Sequence, residues 1–214
     1  MPLPKNNMLF GFTSKLTEEQ RVYVDNIFDK QLTLVNARSG TGKTTLAVAC
    51  ASILKKPLIY IFAPVMESSM GFRPGTQEEK ESEYIAPLFD ALYEINENPL
   101  KAICSTNNQA NNKEAWVHPR SHIFARGTNI KDSTVIIDEC QNFTKAELKK
   151  VLTRIHDSCK VIMIGHTGQN DLKNPKDSGF KPYIEHFRNK EYATVCELSW
   201  NFRGILANDA DEIE

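Results

Sequence analysis

The sequence predicts an α/β fold in which a mostly parallel sheet carries helices on both faces within a single domain. The first observation is a set of short, continuous apolar runs, which are typical of strands buried on both faces. These runs are residues 31–36, 57–63, 133–138 and 160–165. The second is that segments with helical periodicity, 43–54 and 144–155, lie between consecutive runs. Such alternation favours a parallel sheet covered by helices, and 214 residues is the length of one domain.

The composition excludes broad classes of protein. Hydrophobic residues make up 41% and charged residues 25% of the chain, which excludes a wholly disordered protein. No apolar run reaches the roughly 18 residues of a membrane-spanning helix, and we expect no secretory signal in residues 1–12. The five cysteines form no C-x-x-C pair, which is typical of reduced thiols and favours the cytoplasm. With a net charge of -1, any nucleic-acid binding must depend on a local patch.

The domain organisation follows from shifts in composition. Residues 1–15 are polar and proline-rich and are expected to form a flexible arm, ahead of a domain at 16–208 and an acidic tail at 209–214. The stretch 64–120 is too long for a simple connection. We therefore expect an insertion there, with a helix around residues 85–95.

A helix is also predicted at 17–29, where Thr17 is a candidate N-cap and Gln20, three residues on, its capping-box partner.

The strongest motif is a glycine-rich loop at 37–44, ARSGTGKT, placed between a predicted strand and a predicted helix. Its end matches the P-loop pattern, in which glycines turn the backbone so that N–H groups face phosphate oxygens. Lys43 is expected to bridge the β- and γ-phosphates, and Thr44 to place its hydroxyl on Mg²⁺. The expected nucleotide-binding residues here are Ser39, Gly40, Thr41, Gly42, Lys43, Thr44 and Thr45.

Two further strand ends carry polar residues. Asp138 and Glu139 follow an apolar run, so both carboxylates are expected at the edge where open α/β sheets bind ligands. Asp138 is the candidate Mg²⁺ ligand, and Glu139 the candidate base that activates water. Gln169 follows the run 160–165 and is either a water-orienting γ-phosphate sensor or an ordinary loop residue.

Three segments together resemble the PhoH family of P-loop ATPases. They are NARSGTGKTTLAVACA, GFRPGTQEEKESEYIAPLFDAL and FARGTNIKDSTVIIDECQNFTKAELKKVLTRI. The resemblance covers roughly 15–205 and implies a RecA-like fold, similar to the first lobe of superfamily 1 helicases. It also implies that Gln20 reads adenine. Arg126 matches an arginine of the family's MRGRT-like stretch, and Arg203 resembles the phosphate-reaching arginine of superfamily 1; each is either a functional arginine of this kind or a surface or ion-paired residue.

Several positions depart from the helicase-like pattern. Ala37 replaces the first P-loop glycine, and Arg38 and Ser39 stand where small residues or proline are usual. His166 replaces an aspartate of the G-D-x-x-Q pattern. Arg38 is expected to alter access to the phosphates, and His166 to affect coupling to nucleic acid.

The length leaves room for one RecA-like lobe, whereas a superfamily 1 helicase closes its site between two. We therefore expect a neighbouring subunit to supply the second wall and an arginine, Arg203 or Arg126, in a homo-oligomer that is a hexameric ring by resemblance. The expected activity is Mg²⁺-dependent ATP hydrolysis coupled to remodelling of single-stranded RNA or DNA. The alternatives are a nucleotide-dependent assembly switch and a small-molecule kinase.

Weaker features stay open between two interpretations. Trp116 and Trp200 either stack on bases or pack against the protein. The basic residues of one predicted helix face either follow a phosphate backbone or are merely solvated; they are Lys145, Lys149, Lys150 and Arg154. His118 and His122 are four residues apart, but Pro119 disfavours a helix there, so a zinc site is not expected.

Overall fold

The computed structural model describes residues 15–64, 83–104, 115–123 and 129–211. Its strands are β1 Leu32–Ala37, β2 Leu58–Phe62, β3 Val117–Ser121, β4 Thr134–Ile137, β5 Lys160–Gly165 and β6 Ala193–Leu198. Its helices are α1 Glu18–Asp29, α2 Lys43–Leu54, α3 Ala86–Glu94, α4 Pro99–Ala102, α5 Lys145–Leu152, α6 Phe180–Phe187 and α7 Ile205–Asp211. Within these ranges, no helix is long and apolar enough to cross a membrane.

All the described strands run parallel, in the order β3-β2-β4-β5-β1-β6. Helices α1, α2 and α3 pack on one face of the sheet, and α5 and α6 on the other. Alternate strand residues feed the two cores: Leu58 and Tyr60 face the first group of helices, and Ile59 and Ile61 the second. The predicted α/β class, with a parallel sheet and helices on both faces, is confirmed.

The capping box predicted for α1 is also confirmed. The Gln20 backbone N–H donates to Thr17 Oγ1 at 3.2 Å, and the Thr17 N–H donates to Gln20 Oε1 at 3.1 Å.

The stretch 64–120, which we expected to be an insertion, contributes an edge strand of the sheet as well as α3 and α4. Strand β3 pairs with β2 along its whole length, with Pro119 opposite Tyr60. Proline is tolerated at this position because an edge strand leaves one row of backbone groups unpaired. Residues 1–14 of the expected arm lie outside the described residues, and α7 includes the first three residues of the expected tail.

The strand order brings three loops together. Strand β5 lies between β1, which leads into the P-loop, and β4, which leads into Asp138 and Glu139. Because the strands are parallel, their carboxyl ends meet at one edge of the sheet. The loop after β5, residues 166–171 (the β5 loop), is therefore placed between the phosphate-binding loop and the acidic pair.

Candidate active site

The P-loop ends in a helix whose N-terminus has no side-chain cap. Gly42 is the N-cap of α2 in the left-handed region, with φ 78° and ψ 12°, and Gly40 also has φ 78°. Helices α1 and α5 both begin with a capping box, whereas no side chain caps α2. The first N–H groups of α2 therefore need an external acceptor, and an anion such as phosphate fits this requirement.

Contacts from within the chain hold the P-loop in this shape. Thr41 is 1% exposed, and its hydroxyl donates to the Arg38 carbonyl at 3.0 Å. The side-chain amide of Gln20 donates to the Thr41 carbonyl at 3.0 Å, and the Tyr23 hydroxyl donates to the Lys43 carbonyl at 3.3 Å. Gln20 thus ties α1 to the loop. Its adenine-reading role remains a prediction, and a phosphate contact from Thr41 would come from its backbone.

The hydroxyl of Thr44 and the carboxylate of Asp138 lie side by side. Thr44 Oγ1 donates to Asp138 Oδ2 at 3.1 Å, and Asp138 is 1% exposed. Hydroxyl and carboxylate oxygens suit Mg²⁺, which is usually bound by one or two carboxylates together with substrate phosphates. The described residues contain no cluster of three or more His, Cys, Asp or Glu side chains that could hold a metal ion.

Tyr60 is a contact of Asp138 that the sequence did not reveal. Its hydroxyl donates to Asp138 Oδ2 at 2.6 Å, from the neighbouring strand β2. Burial, together with the Asp138 charge, raises the pKa of Tyr60 well above its ordinary value. The hydroxyl therefore stays a donor at neutral pH. Asp138 Oδ1 accepts the backbone N–H of Glu139 at 2.9 Å, so both oxygens of the carboxylate are held.

Glu139 occupies a conformation that is unusual for its residue type. It has φ 52° and ψ 45°, in the left-handed region, which costs a non-glycine residue roughly 1–2 kcal/mol. Burial raises the pKa of Glu139, the Asp138 charge adds to this effect, and Lys43 opposes it. Lys43 itself is only 9% exposed. The candidate base thus interacts electrostatically with both the candidate metal ligand, Asp138, and the candidate phosphate-binding residue, Lys43.

Gln141 and Asn142 hold the two ends of the β5 loop. The Gln141 amide donates to the Glu139 carboxylate, and its oxygen accepts the His166 backbone N–H at 3.0 Å. Asn142 exchanges two hydrogen bonds with Asp171, each of 3.0 Å. Both side chains are buried, at 3% and 7% exposure. Sequence reasoning assigned neither a role; the signal was two amides directly after the acidic pair.

Gln169 lies between those two ends, with its side chain exposed. Its backbone N–H donates to the His166 carbonyl at 3.3 Å, but among the described residues its side chain makes no hydrogen bond. The loop is fixed to β1 as well, since Asn36 Oδ1 accepts the Thr167 N–H at 3.0 Å. The sensor role of Gln169 therefore remains a prediction.

The two departures Arg38 and His166 line one cleft beside the P-loop. The cleft has a volume of about 430 Å³, and its remaining lining residues are Glu19, Asn36, Ala37, Glu197, Leu198 and Ser199. A positive side chain and a titratable imidazole thus face the same space from opposite loops.

Arg203 lies against the P-loop of its own chain. A Cβ at Gly40 would be 2.8 Å from Arg203 Cγ and 2.3 Å from Asn201 Oδ1. The Phe202 N–H donates to the Gly40 carbonyl at 2.9 Å. The side chain of Arg203 therefore starts beside the P-loop of its own chain, and its role as a phosphate-reaching arginine, including across a subunit boundary, remains a prediction. Arg126 lies outside the described residues.

The weaker features divide as follows. Trp116 packs against the core beneath α1–α3, whereas Trp200 is 64% exposed. His118 is part of β3, so no helix joins it to His122, which pairs with Glu147 at 3.3 Å. All five cysteines are free.

These features define a P-loop NTPase of the RecA-like class. The sheet is parallel, the P-loop lies between β1 and the uncapped helix α2, and the acidic pair follows β4, two strands away from β1. Within that class, the family model described as PhoH-like protein matches residues 13–202. The chain belongs to the PhoH-like family.

Relatives in several bacteria bear this out. The PhoH-like protein of Synechocystis sp. is 33% identical over 189 residues, which cover 86% of this chain and 56% of the relative. That of Mycobacterium leprae is 31% identical over 189 residues, covering 86% and 52%. Protein PhoH of Escherichia coli K12 is 30% identical over 187 residues, covering 85% and 51%. The chain spans about half the length of these relatives.

Solved helicases align with this chain at low similarity. Arterivirus nonstructural protein 10, a helicase, aligns with a TM-score of 0.48 and 13% identity over 82% of this chain and 36% of that one. Bacteroides Pif1 bound to single-stranded DNA aligns with a TM-score of 0.43 and 12% identity over 92% and 44%. Values this low add nothing to what the topology and the family membership establish.

Proposed function

We propose that this protein hydrolyses ATP with Mg²⁺. The observation that carries the proposal is the juxtaposition of the uncapped N-terminus of α2 with the Thr44–Asp138 contact at 3.1 Å. A nucleotide phosphate would accept hydrogen bonds from the uncapped N–H groups of α2, and a nucleotide-bound cation would bind the oxygens of Thr44 and Asp138.

The residues divide the chemistry among them. Lys43 and the backbone N–H groups of the P-loop bind the phosphates, and Arg203 extends to them within the same subunit. Thr44 and Asp138 would hold Mg²⁺, which when bound supplies positive charge at the phosphate oxygens. Glu139, aimed by Gln141, accepts a proton from the attacking water.

We further propose that hydrolysis is coupled to remodelling of single-stranded RNA or DNA, in the cytoplasm. Support comes from the β5 loop, which touches Glu139 through Gln141 and reaches the exterior at Gln169. Such a loop is able to relay contact with a strand to the base. The free cysteines fit a reducing compartment.

A nucleotide-dependent assembly switch is a second candidate function. One observation favours it: the segment after β6, which contacts the P-loop at Gly40, carries exposed apolar side chains. They are Trp200, Phe202, Ile205 and Leu206, exposed by 64%, 55%, 79% and 86%. Apolar surface of this kind beside a nucleotide loop suits contact between subunits, including the proposed hexameric ring.

Phosphate release from ATP by the purified protein, with and without single-stranded RNA, tests the proposal. We expect Mg²⁺-dependent release that the strand stimulates and that Glu139→Gln abolishes while nucleotide affinity is retained. Lys43→Ala should abolish nucleotide binding in calorimetry, and Glu94→Gln, an exposed carboxylate on α3, is the matched control. Unstimulated turnover with nucleotide-dependent assembly would favour the switch. Absence of turnover, or full turnover in Glu139→Gln, contradicts the assigned chemistry.

A further inference from the structure

A basic surface lies next to the edge of the sheet that carries the candidate active site. Two segments form it: helix α5, which follows the acidic pair, and the stretch 172–181, which follows the β5 loop. Their exposed cations are Lys145, Lys149, Lys150, Lys173, Lys176 and Lys181. We call these six residues the α5–α6 basic surface.

The two segments are in direct contact. A Cβ at Gly179 would be only 2.8 Å from the backbone nitrogen of Lys145, so the chain at Gly179 packs tightly against the start of α5. The Tyr183 hydroxyl also donates to the Lys145 carbonyl, at 3.4 Å. Lys176 and Lys181 flank Gly179 in sequence, so the second segment adjoins α5 at Lys145, the first residue of the helix.

The positive charge of this surface is not neutralised by the protein. Among the described residues, no carboxylate oxygen lies within 4.0 Å of any of the six ammonium groups. The nearby carboxylates have other partners: Glu147 pairs with His122, and Asp177 accepts a hydrogen bond from Asn174 at 3.1 Å. Glu185 is the exposed carboxylate one turn after Lys181. The chain as a whole has a net charge of -1, so this charge is a local feature.

The number and spread of the cations indicate what occupies the surface. A single small anion contacts a few donors at one point, whereas these lysines extend over a helix and a separate segment. A polymer with regularly repeated phosphates matches such an array, because each lysine that neutralises a phosphate releases a counterion.

The surface is also connected to the candidate base. Asn142 and Thr144 lie just before α5; Asn142 binds Asp171, and Lys173 follows two residues later. Gln141 binds both Glu139 and the start of the β5 loop. A strand lying on the surface would therefore contact the two segments that directly follow the residues positioning the base.

We propose that the α5–α6 basic surface binds the phosphate backbone of a polynucleotide strand. This proposal rests on the proposed function and says where on the protein its nucleic-acid partner binds. The binding is electrostatic and therefore independent of base sequence. A bound strand would then influence the active site through the residues that hold the β5 loop.

The test compares two triple variants of the full chain with equal loss of charge. The surface variant is Lys149→Gln, Lys176→Gln and Lys181→Gln. The control variant removes three exposed cations at the opposite edge of the sheet: Lys55→Gln, Arg188→Gln and Lys190→Gln. Fluorescence anisotropy of a labelled 20-nucleotide single strand, RNA or DNA, is measured between 50 and 200 mM salt. The slope of log K against log salt is negative, and each lost contact makes it shallower by about 0.7. We therefore expect the slope of the surface variant to be shallower than that of wild type by about 2.

At about 0.1 M salt the surface variant should bind the strand roughly tenfold or more weakly, and the control like wild type. Equal binding by both variants, equal weakening of both, or no binding by wild type overturns the proposal. So does displacement of the strand by polyglutamate at equal charge, which would assign the surface to acidic polymers in general.

Nucleotide binding is measured separately, with a fluorescent ADP analogue, and phosphate release without any strand. Both should be unchanged in the surface variant, because none of its three positions touches the P-loop or the acidic pair. If wild type binds no nucleotide but binds the strand through these lysines, the ATPase proposal fails and the surface stands. If nucleotide binding is intact and the variants do not differ, the surface fails alone.

Discussion

The hydrogen bond from Tyr60 to Asp138 should contribute measurably to the stability of the nucleotide-free protein. It is 2.6 Å long and joins two residues that are each 1% exposed. Tyr60→Phe removes one oxygen and preserves the ring, so no large cavity forms. The variant leaves a buried carboxylate oxygen with Thr44 as its remaining donor.

The magnitude follows from the charge of the acceptor. Hydrogen bonds to charged groups contribute about 1.5–3 kcal/mol. For a domain of this size, about 2 kcal/mol corresponds to a fall in Tm of roughly 4–8 °C. Thermal unfolding and urea titration, both followed by circular dichroism without nucleotide, measure the change. Tyr183→Phe is the matched control, because its hydroxyl bonds a backbone carbonyl at 3.4 Å in an exposed setting.

A double-mutant cycle with Asp138→Asn isolates the pair. If the bond acts as described, the two substitutions couple by about 1.5 kcal/mol or more, since removing the charge removes most of what the hydroxyl stabilises. A Tyr60→Phe protein within about 0.5 kcal/mol of wild type, or a cycle without coupling, would refute the reasoning.

Three further predictions concern the loops around the site. Gln141→Leu removes the link between Glu139 and the β5 loop, so the rate of ATP turnover should fall about tenfold or more. Calorimetry should show a nucleotide affinity within about twofold of wild type. A loss of affinity as large as the loss of turnover would count against a positioning role for Gln141. Hydrogen bonds from Ser199 lower the pKa of Glu19, so the Glu19 charge stabilises the fold at pH values above the ordinary pKa of glutamate, and this stabilisation is lost as the pH falls through the lowered pKa. The Tm of Glu19→Gln should therefore be below that of wild type at neutral pH and equal to it in acid. A Tm difference that does not change with pH would contradict this reasoning. Gly40→Ala forces a Cβ to within 2.3 Å of Asn201 at φ 78°, so calorimetry should show weaker nucleotide binding, and unchanged affinity would mean that the loop shape is not required.

The central strands and their helices were predictable because they have simple patterns. Four buried strands appear as continuous apolar runs, and β5 has the predicted bounds of 160–165. The edge strands were missed for a physical reason. β3 contains a proline, and β6 has an exposed Glu197 as its penultimate residue; both are compatible with an edge strand, which is only partly covered. The sequence patterns of such strands resemble those of loops.

The candidate site was predictable where its residues are consecutive and unpredictable where they meet across strands. The P-loop and the Asp138–Glu139 pair each form a local motif with its own chemistry. Tyr60 lies on the strand next to β4 and looked like one more core residue; only the register that places it beside Ile136 brings its hydroxyl to Asp138. The sequence also does not show that the chain returns from β6 over its own P-loop, so the position of Arg203 beside Gly40 was not predicted.

The position of β5 in the sheet brings the parts of the candidate site together. Because β5 separates β1 from β4, the loop that follows it contacts residues next to both the P-loop and the acidic pair. Three side-chain amides make these contacts: Asn36 holds Thr167, Gln141 holds His166, and Asn142 holds Asp171. Amides suit this purpose because each one donates and accepts, so Gln141 is able to bind a carboxylate on one side and a backbone N–H on the other. A displacement of the β5 loop that breaks the His166–Gln141 contact therefore removes one restraint on the amide that holds the carboxylate of Glu139, and the orientation of the base depends in part on a loop that is exposed at Gln169.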